Sequence, residues 1–122
     1  MPLKECYGVL GGDYQEVCRR IPSEKLIERF VGRFLEDGSF HDLCAAFASG
    51  SREEAFRAAH TLKGVCANLG FTRLRDSSSL LTELLRPEAE VIPEGAGPLL
   101  DRVRLDYGIT VDAIRKYQAE KE

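Results

Sequence analysis

The chain has 122 residues, 43% of them hydrophobic and 30% charged, with a formal net charge of −3, enough to bury a core in one domain of ordinary size. The small charge and the lack of a basic stripe with interleaved aromatics argue against a nucleic-acid partner, and no apolar run approaches the ~18 residues that a membrane span requires. Cys6, Cys18, Cys44 and Cys66 show no C-x-x-C spacing, so small thiols in a reducing compartment are expected rather than zinc or a disulfide framework. Without a signal-peptide pattern, a cytoplasmic protein is expected.

Leu3, Cys6, Tyr7 and Leu10 fall at i, i+3, i+4 and i+7 and predict a short helix ended by Gly11-Gly12. Asp13 with Glu16 predicts a second N-terminal cap, for a helix through Arg20. After Pro22-Ser23, the pairs Leu26-Ile27, Phe30-Val31 and Phe34-Leu35 repeat every four residues as a helical stripe that Asp37-Gly38 stops. Ser39 is expected to cap a further helix, with Phe40, Leu43, Cys44 and Phe47 inward, until Gly50. His41, with no acidic or cysteine partner at ligand spacing, reads as an exposed surface residue.

Beyond residue 70, Phe71 and Thr72 begin a helix with Leu74, Leu81, Leu84 and Leu85 on its apolar side, stopped by Pro87. Ser77, Ser78 and Ser79 are poor helix formers in its middle, but the leucines keep the period. Residues 87–98 read as a loop, and Pro98 suits the first turn of a last helix running to about Gln118. Gly108 and the β-branched run Ile109-Thr110-Val111 weaken that helix locally. No segment alternates as a strand does. The expected fold is all-α: a single domain over 1–122, with short N-terminal helices in 1–22 and an antiparallel four-helix bundle in 23–118, to which the shorter connecting helix adds.

The stretch from Ser51 to Phe71 carries the chemistry. Ser51 with Glu54 forms an S-x-x-E capping box, and Gly70 supplies a left-handed C-terminal residue, which bounds a helix ending at Leu69. At ~100° per residue, with His60 at zero, Ala55, Ala58, Ala59, Leu62, Val65, Cys66 and Leu69 share one apolar arc of roughly 140° to 260°. His60 lies opposite, so it faces outward. Glu53, Phe56, Arg57, Lys63, Gly64, Ala67 and Asn68 share its face. Lys63 and Arg57, one turn to either side, place cations beside any anion on the imidazole. Gly64 costs about 1 kcal/mol relative to alanine in mid-helix, and an exposed face gives it no packing role. Residues 51–75 hold five cations against two carboxylates, a local +3 in a chain whose remainder sums to −6.

His60-Thr61-Leu62-Lys63-Gly64, followed by Asn68-Leu69-Gly70-Phe71, resembles the H-x-L-K-G-x-x-x-x-x-G signature of histidine-containing phosphotransfer (HPt) domains of bacterial multistep phosphorelays. The resemblance covers about twenty residues and implies the same helical bundle. It also implies that His60 accepts a phosphoryl group from a receiver domain's aspartyl phosphate and passes it to another receiver, with Lys63 steadying the charge and Gly64 giving clearance. Phe56, Arg57, Ala67 and Asn68 would complete the docking face. The implied protein is a carrier rather than an enzyme, a monomer with no metal or cofactor of its own, with Mg²⁺ supplied by the receiver. Its implied partners are response-regulator receivers and a hybrid histidine kinase.

Two other classes remain. An adaptor that only binds receivers or kinases would keep the docking face but would not need His60 and Lys63. A di-iron bundle would need inward E-x-x-H pairs, which the sequence lacks.

Overall fold

The computed structural model describes residues 1–121, and its regular structure is helical, with no strand among the described residues. The helices are α1 (Leu3–Leu10), α2 (Tyr14–Arg20), α3 (Glu24–Phe34), α4 (Ser39–Ser49), α5 (Arg52–Leu69), α6 (Thr72–Leu84) and α7 (Ala96–Lys121).

Local chemistry sets most of the boundaries. Asp13, Ser23 and Ser51 each accept a hydrogen bond from the backbone amide three residues on, at Glu16, Leu26 and Glu54, and so satisfy orphan donors at the starts of α2, α3 and α5. Gly70 closes α5 at φ 71°, and a Cβ there would lie 2.9 Å from the Asp13 carbonyl oxygen. Only glycine meets both demands.

Three boundaries depart from expectation. Ser39 is not the cap of α4: Asp37 Oδ2 accepts from the Ser39 amide at 3.0 Å, and Ser39 itself is buried in the first turn. The capping box of α5 is half formed, because the Ser51 amide donates to the Ala46 carbonyl at 2.9 Å, which joins α4 directly to α5 and leaves Glu54 exposed. Helix α7 starts two residues before Pro98 and extends past Gln118 to Lys121. Pro98 still falls in its first turn, where a missing amide proton costs nothing. Gly108 does not interrupt α7, because Thr110, Val111 and Ile114 are buried around it and packing outweighs propensity. In α6, Ser77 and Ser78 are buried with their hydroxyls bonded to the Leu74 carbonyl, which removes the cost of burying them.

Helix α5 is the centre of the bundle. It packs most extensively against α4 and α6; α6 packs in turn on α7, and α3 touches both α5 and α7. At 11 residues each, α3 and α4 are equal in length, and α4 packs on α5 far more extensively than α3 does. Helix α1 lies along α7, with Leu3, Cys6, Tyr7 and Leu10 buried.

Five rings tie these elements together. Tyr7 meets Phe71, Phe71 meets Phe34, Phe34 meets Tyr107, and Tyr107 stacks on Phe40 at 4.1 Å. The four cysteines are free, and burial pushes the Cys6 thiol up to about 11 and the Cys66 thiol higher still, so both are inert.

Candidate functional site

The inward face of α5 holds Ala55, Ala58, Ala59, Leu62, Cys66 and Leu69, all buried, with Val65 half-buried at the edge. Four short side chains in that set bring neighbouring helices close and fix the rotation of α5. His60 is thereby turned outward and is exposed. The Phe56 ring stacks beside the imidazole, with centroids 6.0 Å apart and planes 20° apart.

The two cations behave differently. Arg57 does not lean on His60: its guanidinium pairs with Glu53 at 2.5 Å, one turn toward the N-terminus, with both side chains more than half exposed. Lys63 is half-buried on the flank toward α6, and no carboxylate lies within 4 Å of it among the described residues. Its charge reaches Glu83 on α6, whose carboxyl is held below its usual value first by a hydrogen bond from Arg86 and in smaller part by Lys63.

Gly64 is exposed, and a Cβ built on it would meet nothing within 4 Å. The chain itself therefore does not need the glycine. Ala67 is half-buried and Asn68 exposed one to two turns on. His41 is exposed on α4 near the Phe40 and Tyr107 rings.

Beyond Asn68 the surface dips into an apolar groove between α3 and α5. Phe30, Phe34, Val65 and Leu69 form it, Ile21 closes its end, and Arg20, Arg33, Asp37 and Asn68 stand around the rim. Along the N-terminal half of α5 a polar depression against α4 is lined by Asp42, Ser49, Glu54, Arg57 and Thr61. The groove was not foreseen, since periodicity does not say which helices border α5. One signal was present: six apolar residues among the ten from Leu26 to Leu35 make a stripe wider than one buried face requires, and Leu26 is 37% exposed while Phe30 is half-buried.

No group of three His, Cys, Asp or Glu side chains converges as a metal site among the described residues. The family model for the Hpt domain matches residues 26–113. The chain belongs to the Hpt domain family. No curated protein and no solved structure matches it. An Hpt domain is a phosphotransfer carrier of phosphorelays, and receiver domains and kinases are its class of partner. None of the described helices is long and apolar enough to cross a membrane. The Hpt match begins at Leu26, so α1, α2 and the first residues of α3 lie outside it.

Proposed function

We propose that His60 is the phosphoryl-carrying residue of this Hpt domain, that it receives the group from a receiver's aspartyl phosphate, and that it delivers it to a second receiver. The observation that carries this reading is an exposed imidazole on the matched segment with open space over Gly64 beside it. In the first step an imidazole nitrogen bonds to phosphorus, the acyl O–P bond breaks, the aspartate leaves as carboxylate, and the ring releases its surplus proton to solvent. The second step reverses those bonds on another aspartate.

Transfer of this kind depends on positioning and charge neutralisation. Lys63 supplies the near cation, and with no carboxylate within 4 Å among the described residues its ammonium is available to the phosphoryl oxygens. Arg57, held by Glu53, serves the rim of the docking face with Phe56, Ala67 and Asn68. Mg²⁺ comes with the receiver. A monomer working in the cytoplasm completes the reading.

The test is incubation of the chain with receiver domains carrying ³²P-acyl phosphate. Label is expected on His60 alone, stable in base and lost in acid, and absent from His60→Gln. Label persisting in that variant, or appearing on His41, would overturn the assignment. Receiver binding with no label at all would identify an adaptor instead.

A further inference from the structure

Helix α7 turns one face away from the bundle. With Gly108 at zero and ~100° per residue, Val103, Thr110 and Ile114 lie at roughly 200° to 240°, and all three are buried. Asp101, Arg104, Leu105, Asp112 and Arg115 lie within about 60° of Gly108, and all five are exposed. Leu105 is the apolar member, 57% exposed among charges. A Cβ built on Gly108 would meet nothing within 4 Å, so packing inside the chain does not need the glycine.

The charges on that face follow an order. Four residues before Gly108 stands Arg104 and four after it Asp112; seven before stands Asp101 and seven after Arg115. Each step sets a base against an acid. Asp101 and Arg104 are three residues apart, as are Asp112 and Arg115, a spacing that permits an ion pair along one helix. No opposite charge nevertheless lies within 4 Å of any of the four among the described residues. Arg104 touches the Cys44 sulfur, at 3.9 Å.

A second α7 laid antiparallel, with a twofold axis through Gly108, brings each residue opposite the one equally far beyond the glycine. Arg104 then faces Asp112 of the second copy and Asp101 faces its Arg115, each pair forming twice. Leu105 falls beside the other copy's Gly108, where the missing side chain leaves room. A parallel pair would instead oppose like charges along the whole face.

We propose that this face of α7 is a self-association surface, and that its partner is a second copy of the same chain packed antiparallel about Gly108. Exposed ion pairs add little energy and mainly set register and orientation; the apolar contact of Leu105 supplies attraction. Two crossing helices cover less than the ~1,200 Å² of a stable interface, so the dissociation constant is on the order of 100 µM. A single chain therefore prevails at low micromolar concentration, as the transfer reading has it. The inference goes beyond that reading and leaves it intact. Helix α7 packs chiefly on α6 and α1, whereas α5 packs chiefly on α4 and α6, so chains joined through α7 keep both His60 side chains open.

The experiment is sedimentation equilibrium from about 10 µM to about 1 mM, a range that brackets the expected constant. The wild-type chain should pass from monomer to dimer. Arg104→Asp and Asp112→Arg, both at exposed positions and each checked for its melting curve, set two like-charge contacts across the axis. Each alone is expected to weaken association about tenfold or more. The equimolar mixture of the two decides the register: one variant carries acids at positions 104 and 112 and the other carries bases, so the mixed pair should form about as tightly as the wild type. Phosphorylation of His60 by phosphoramidate, which gives its phosphoryl group to the ring and releases ammonia, should be equal in all three proteins.

A wild-type chain that stays monomeric at the highest concentration would overturn the inference. So would association that both single variants keep, which would put the contact on another face, or a loss that the mixture does not restore. Slower transfer from labelled receivers to Asp112→Arg, with the wild type monomeric, would give the face to the receiver instead of a second copy. Absence of label from the wild-type His60 would overturn the transfer reading alone.

Discussion

Gly64 and Gly70 sit six positions apart on or beside α5 and are glycine for opposite reasons. At Gly64 a Cβ meets nothing within 4 Å, whereas at Gly70 the φ of 71° and the Asp13 carbonyl oxygen 2.9 Å away both oppose one. Gly64→Ala should therefore raise stability by about 0.5–1 kcal/mol, and Gly70→Ala should lower it by about 1–3 kcal/mol; paired denaturant melts check the signs. Gly64→Gln should fold as well as the wild type and still transfer poorly, because bulk beside His60 displaces the reacting groups and ~1 Å can cost a hundredfold. Full transfer by Gly64→Gln would mean that no partner uses the gap. Lys63→Ala should slow transfer while leaving stability within about 0.5 kcal/mol, since the lysine has no ion-pair partner among the described residues to lose. Unchanged kinetics would make it a solvated side chain with no role.

Between elements, α3 and α7 meet through Glu28, which accepts from the Tyr117 hydroxyl at 2.5 Å and from the Lys121 ammonium. Those bonds, Lys121 first and Tyr117 second, hold the Glu28 carboxyl below its ordinary value. A carboxyl lowered by folding adds stability above its unfolded pKa, about 4.3, and loses that contribution as pH falls through the folded value. Glu28→Gln should therefore melt below the wild type at pH 7, with the gap narrowing from about pH 4 downward. Melting curves from pH 7 to 3 read this directly, and a gap independent of pH would show that the joint is held by packing instead. The same joint closes α7 over α3, and α3 forms one side of the groove beyond Asn68.

Across the whole molecule, α1 and α2 clamp the far end of the histidine-bearing helix. The Tyr7 hydroxyl donates to the Leu69 carbonyl at 2.7 Å, the Asp13 amide donates to the Gly70 carbonyl at 2.8 Å, and the Arg73 amide donates to the Gly11 carbonyl at 3.0 Å. Four side chains of α1 are buried, each no more than 1% exposed. At about 1.5–3 kcal/mol per side chain, their burial is worth roughly as much as the 5–15 kcal/mol stability of a typical domain. Deletion of residues 1–21 should therefore leave a chain largely unfolded at 25 °C, although it removes nothing that the Hpt match contains. Circular dichroism of the truncated chain decides this: a cooperative melt near that of the full chain would make α1 and α2 an appendage rather than part of one domain with the bundle.

The ends of most helices were legible in the sequence because they are decided locally. Asp13, Ser23 and Ser51 reach amides three residues away, and Gly11, Gly50 and Gly70 take the positive φ that stops α1, α4 and α5. The outward turn of His60 was legible for the same reason, since a 3.6-residue period fixes where each residue points about its own helix axis. A period says nothing about which helix lies alongside. The exposure of Leu26 and the α2 residues that line the groove depend on neighbours set by packing, whereas the pairing of Arg57 with Glu53, four residues away, and the capping of α4 by Asp37 in place of Ser39, two residues away, are local choices among several that the sequence offers. Arg20 and Ala67 are 47 residues apart and Tyr7 and Leu69 are 62 apart. Contacts at such separations form only once the chain has closed its loops around a core, so the tertiary structure alone decided which elements flank α5.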